Sequence, residues 1–191
     1  MPHVHSTRPP SALRACLVLA LVALALSAAC DARFRGARSA DSAASAERAF
    51  AGVQARGEVA MGVDQYTSAH VFEDLPDGGR VVLDRAAGGD TAGVGTIRAH
   101  MRDIAARFAR GDFSLPGFVH AGEVPGTTVM TAKRSAISYT PADRPLGGEL
   151  RIRSTDPEAV AAVHEFLAFQ RRDHRAAGHE AHDAHEAPAR P

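Results

Sequence analysis

Residues 135–174, SAISYTPADRPLGGELRIRSTDPEAVAAVHEFLAFQRRDH, decide the fold of this chain. Ile137 and Tyr139 alternate with Ser138 and Thr140, and Leu150 and Ile152 alternate with Glu149, Arg151 and Arg153. A period of two with one wet face is the mark of an antiparallel hairpin, and Gly147–Gly148 supplies its turn. Asp156 then stands where its carboxylate can accept hydrogen bonds from the first amides of a helix. Pro157 fits the first helical position, and Glu158 complements the positive helix end. A helix is predicted from Pro157 to about Asp173.

The same order, strand, Gly-Gly turn, strand, acid, helix, occurs upstream. Residues 65–86, QYTSAHVFEDLPDGGRVVLDRA, give two β-like runs around Pro76, Asp77, Gly78 and Gly79. Residues 90–108, DTAGVGTIRAHMRDIAARF, place Val94, Ile97, Met101, Ile104 and Phe108 on one stripe of a helix, with Arg98, Arg102 and Asp103 off it. Gly93 and Gly95 weaken its first turn, so the helix is expected from Thr96. The chain thus repeats a ββα unit by pattern, with little identity.

Two such units can pool four strands into one antiparallel sheet and lay both helices on one face. Val94, Ile97, Met101, Ile104 and Phe108 would then be buried against Val160, Val163, Phe166 and Leu167. The expected fold is a two-layer α+β domain over residues 61–175. The intervening residues 109–134, ARGDFSLPGFVHAGEVPGTTVMTAKR, carry two Pro-Gly pairs and no sustained period. They read as an irregular linker anchored by Phe118 and Val119.

Outside that domain the chain reads as targeting and tether. Arg8 and Arg14 precede an apolar run from Ala15 to Leu26, too short for a permanent membrane span, so residues 1–29 read as an export signal. Ser27, Ala28 and Ala29 before Cys30 resemble the lipobox of bacterial lipoproteins, although Leu26 sits one place further upstream than usual. Ordinary cleavage after an A-x-A-like site is the alternative. Cys16 would leave with the signal and Cys30 would carry lipid, so the mature monomer has no disulfide to form.

Residues 30–60, rich in Ala, Ser, Arg and Gly, read as a flexible tether with a span of roughly 30 Å. Residues 176–191 read as a disordered His-rich tail. The expected location is the cell envelope, lipid-anchored at the bacterial membrane through Cys30 and facing the periplasm or outer side. Asp31 resembles an inner-membrane retention signal of some Gram-negative lineages.

Composition excludes one class of partner. Removing Arg8 and Arg14 leaves 20 basic residues against 22 acidic, a net of about −2, and nothing suggests nucleic acid. Lys133 is the one lysine among 22 basic residues, a bias that reflects a G+C-rich genome.

MGVDQYTSAHVF (61–72), IRAHMRDIAARFARGDFSLPGFVHAGEVPG (97–126) and HEFLAFQRRDH (164–174) resemble an uncharacterised family of small bacterial proteins over roughly residues 61–175. That resemblance implies a histidine set, His70, His100, His120, His164 and His174, and no established activity. Many relatives carry a second histidine beside the one matching His70, where this chain has Val71.

Those five histidines are the candidate metal ligands. Imidazole suits copper and zinc, and Met101 or Met130 can add a soft thioether for Cu(I). The spacing itself gives no metal motif, with neither HExxH nor a His pair at i and i+4 in either helix, and histidines lining a core are the competing reading. His120 and Glu123 form a second candidate, a His with a carboxylate suited to acid/base catalysis, with Ser114 and Thr127 nearby but in no nucleophile motif. His179, His182 and His185 in the tail can chelate Zn²⁺, Cu²⁺ or Ni²⁺ loosely without a fold.

The Gly-rich stretch 86–95, AAGGDTAGVG, matches no phosphate-binding fingerprint and reads as a connection. The expected function is therefore a non-enzymatic envelope lipoprotein that binds a metal ion through histidines. An interaction module for an envelope protein without metal, and a His-dependent enzyme, are the alternatives.

Overall fold

The computed structural model describes residues 41–64, 67–86 and 89–176. The expected signal, Cys30, the first part of the tether and the tail beyond Ala176 lie outside the described residues. Residues 41–61 are helical and are labelled α1. The chain divides into a unit of residues 1–48 and a unit of residues 49–191, and the sheet, the helices after α1 and every contact described below lie in the second.

Strands β1 (Ser68–Leu75) and β2 (Gly78–Arg85) are followed by α2 (Thr91–Ala109), α3 (Ser114–His120), α4 (Thr127–Ala132) and a 3-10 turn at Arg134–Ala136. Strands β3 (Ile137–Arg144) and β4 (Gly147–Ser154) and helix α5 (Pro157–Asp173) complete the domain. The four strands form one antiparallel sheet in the order β1-β2-β4-β3, with Val81 opposite Leu150 where the two hairpins meet. The α+β fold and the pooled sheet are as the repeated pattern predicts.

Pairing of helix with hairpin is crossed. Helix α2, which follows the first hairpin, lies over β3 and β4, while α5, which follows the second, lies over β1 and β2. The Gly-Gly turns make room for it. A Cβ on Gly79 would collide with Leu167 Cδ1 of α5, and one on Gly148 would stand 2.9 Å from Met101 Cγ of α2. Polar clamps repeat the crossing. Arg98 of α2 donates to the Gly147 carbonyl at 3.1 Å, and Arg171 of α5 donates to the Phe72 carbonyl at 2.8 Å.

Between sheet and helices Leu83, Ile97, Leu150, Ile152, Val163 and Leu167 are fully buried, each worth about 1.5–3 kcal/mol relative to exposure. Phe108 stacks on Phe113 at 4.5 Å between ring centres and meets Phe166 edge-on at 6.0 Å. The opposite sheet face carries a charge ladder. Glu73, Arg80, Glu149, Arg144 and Asp84 are linked in sequence by ion pairs across β1, β2, β4 and β3. Val82 is buried on that face, consistent with the apolar stems of such side chains covering what lies beneath them.

Several local expectations change. Residues 41–60, assigned to the flexible tether of 30–60, are helical, and Val53, Gln54 and Met61 are buried. Arg56 Nε donates to the Val119 carbonyl at 2.7 Å, tying α1 to α3. Helix α2 begins at Thr91 because Asp90 accepts from the Gly93 amide at 2.9 Å, which offsets the two glycines. The linker 109–134 folds into α3 and α4, and Phe118 is half exposed, leaving Val119 as the anchor. Val160 is only partly buried, and Ala159 and Ala162 take its place in the core.

Candidate functional site: a histidine pocket

Four elements each bring one imidazole to the same cavity. His70 projects from β1 on the face that also carries Phe72, opposite the core residue Leu83 of β2. His100 comes from α2 beside Met101, His120 is the last residue of α3, and His174 caps the end of α5. Met61, at the end of α1, adds a second thioether to the wall. A water-sized sphere can enter about 80 Å³ of this space. That is room for a few waters or one ion with its ligands, and well short of the several hundred Å³ of a typical organic-ligand pocket.

The imidazoles meet in pairs. His174 lies 5.1 Å from His70 with the rings near parallel, and 5.1 Å from His120 with the rings edge-on. His120 is fully engaged. Its Nδ1 lies 2.5 Å from Asp173 Oδ2 and donates there, and its Nε2 meets the Gln170 side-chain amide at 2.9 Å. His174 Nδ1 is buried and has no hydrogen-bond partner among the described residues.

Burial sets the charge of this cluster. It pushes the His70 pKa down to about 4, with His100 adding to the fall, and the His100 pKa down to about 4. His174 is pushed to about 3, chiefly by burial, with His70 and His120 lowering it further and Asp173 opposing. Three imidazoles are therefore neutral at pH 7, the form that ligates metals. These three rings have no positive charge with which to attract a phosphate or carboxylate.

The end of α5 that presents His174 is held from outside. Arg175 adopts a left-handed conformation (φ 50°), and the Ala176 amide reaches back to the Arg171 carbonyl at 3.0 Å. The Arg175 guanidinium sits 4.2 Å over the Phe50 ring of α1. Helix α1 thus both walls the pocket with Met61 and fixes the turn behind His174.

His164 does not join the cluster. Its Nε2 donates to the Leu75 carbonyl at 2.9 Å and ties α5 to the first hairpin. Ten residues along a helix separate it from His174 by about 15 Å, too far to share an ion. Met130 is buried in the core but does not line the cavity. Glu123 accepts from the Thr128 hydroxyl at 2.9 Å, so the carboxylate beside His120 is Asp173 instead.

Ser114 and Thr127 serve local turns, bonding Asp112 and the Val124 carbonyl. Gln170 and Asp173 escaped the sequence reading although they lie four and one residues before His174; the i−4 spacing puts Gln170 on the face of α5 that carries His174. No three His, Cys, Asp or Glu side chains among the described residues are placed to hold a metal ion together. No protein-family model matches the chain, and neither a curated protein nor a solved structure matches it.

Proposed function

We propose that this domain is a non-enzymatic, metal-binding module of an envelope lipoprotein, tethered through lipid on Cys30, which takes a copper or zinc ion into the histidine pocket. The observation that carries the reading is the convergence of His70, His100, His120 and His174 from four elements on one small cavity, with His174 Nδ1 buried and without a partner among the described residues. A buried polar nitrogen without a partner costs about 1–3 kcal/mol, and a bound ion would remove that cost. The Asp173 carboxylate fixes the His120 ring, which packs edge-on against His174 and so helps to orient it.

The test is elemental analysis of the full chain, purified without an affinity His-tag in detergent, with His179, His182 and His185 changed to alanine to silence the tail. Near-stoichiometric copper or zinc that survives mild chelation supports the reading. Metal only in the chain with its tail histidines intact would assign binding to the tail, and metal in neither would favour an interaction module whose partner is recovered by crosslinking. His-dependent catalysis is a second reading, and it rests on the Asp173–His120 pair. It requires His120→Ala to abolish turnover of a substrate while the domain stays folded.

A further inference from the structure

We infer that the ion suited to this pocket is cuprous copper, held by His70 and His174 with a thioether from Met61 or Met101; this rests on the metal-binding reading above. The first argument is charge. Among the described residues no carboxylate lines the cavity, and the surrounding wall includes Phe72, Phe108, Phe166 and aliphatic side chains. A neutral ligand set leaves the whole charge of the ion buried, and the cost of burying an ion grows as the square of its charge. A monocation therefore enters at about a quarter of the desolvation cost of a dication of similar size.

The second argument is the number and kind of ligands. Zinc takes four tetrahedral nitrogen, oxygen or sulfur donors, whereas the imidazoles here stand as pairs. His120 has both ring nitrogens occupied by Asp173 and Gln170, and no third His, Cys, Asp or Glu among the described residues is placed to share an ion, so His174 and His70, whose rings are in contact, are the pair considered. Their ring centres are 5.1 Å apart. Two imidazoles bound at about 2.0 Å to one ion, with a trigonal angle between them, have ring centres roughly 5.5 Å apart, within about half an ångström of the observed spacing. A third, soft donor completes such a site. Met61 and Met101 are both buried on its wall, and thioethers select Cu(I) over zinc.

His120 acts in this arrangement as a positioning residue. It packs edge-on against His174 and is itself locked by Asp173, so it holds the His174 ring without giving a bond to the ion.

The experiment titrates the full chain, in detergent and with the three tail histidines changed to alanine, with Cu(I) against bicinchoninate under anaerobic reducing conditions. Zn(II) is titrated in parallel against a pyridylazo chelator. One Cu(I) per chain is expected, bound roughly 100-fold or more tighter than Zn(II). Met61→Leu with Met101→Leu should weaken Cu(I) about tenfold or more and leave Zn(II) unchanged, the leucines being close in volume and sparing the fold. X-ray absorption on the copper-loaded protein should show sulfur at about 2.3 Å, a readout that does not depend on any pocket variant folding. Tighter Zn(II), or copper without sulfur scattering, overturns the cuprous assignment and leaves a metal pocket standing. Failure to retain either ion overturns the pocket reading itself.

Discussion

Lowering the pH from 7.5 to 5 should destabilise the metal-free domain by about 3 kcal/mol. His70, His100 and His174 have folded pKa values of about 4, 4 and 3 against an ordinary 6.5. The unfolded chain therefore takes up protons first. The stability these groups contribute is fully present above pH 6.5 and drains away as the pH falls toward 4. At pH 5 linkage gives about 2 kcal/mol for each imidazole taken alone. Part of each ring reaches solvent, and the mutual repulsions fade while the neighbours stay neutral, so half of the summed effect is the better figure. Asp77, Asp112 and Asp156 have lowered pKa values and lose their contributions only at more acid pH, which keeps the two effects apart.

The assay is urea unfolding followed by circular dichroism with a chelator present. With a slope of about 2 kcal/mol/M the midpoint should fall by about 1.5 M between pH 7.5 and 5. His100→Asn should remove about a third of that drop. Midpoints that coincide at the two pH values would refute the claim that these imidazoles are held neutral by burial.

Three further outcomes follow from individual side chains. Gly79→Ala should cost about 2–3 kcal/mol, because its methyl meets both Leu167 Cδ1 and the Glu73 carbonyl; Gly95→Ala, with nothing within 4 Å, should raise the thermal midpoint through about 1 kcal/mol of helix propensity, and equal midpoints for the pair would contradict the packing described. Tyr139→Phe should be neutral or stabilising by up to about 1 kcal/mol, since its buried hydroxyl has no partner among the described residues, and a clear loss in a thermal melt would point to one. His164→Ala should cost about 1–2 kcal/mol by stranding the Leu75 carbonyl while metal content stays the same; a parallel loss of metal would place His164 in the site after all.

Local chemistry carried most of the fold. Asp156 and Pro157 mark the start of α5 in the sequence, and the observed helix opens there with Asp156 accepting from the Glu158 and Ala159 amides. The stripe of α2 is buried at every predicted position. The crossing of α2 and α5 was invisible, because both helices present apolar stripes that fit either hairpin, and the choice is made by pairs such as Leu167 with Gly79. Helix α3 has seven residues, too few for a period to register, and α1 buries so few apolar side chains that its composition resembles a linker. Four of the five chosen histidines reach the pocket, but nothing local distinguishes them from His164. The one usable signal was arithmetic: His164 and His174 share a helix and stand about three turns apart.

The crossed pairing also governs what the two halves of the chain can do apart. Each ββα segment alone would leave its own hairpin uncovered, because the helix that caps it belongs to the other segment. On that ground neither half should fold by itself, and a cut in the stretch between them should give two fragments that stay unstructured singly and assemble when mixed. Such a chain must close its longest-range contacts before either layer is secure, a topology that folds slowly for its size. The pocket histidines, drawn from both halves, converge only after that closure, so anything bound there would report, and reward, completion of the whole domain.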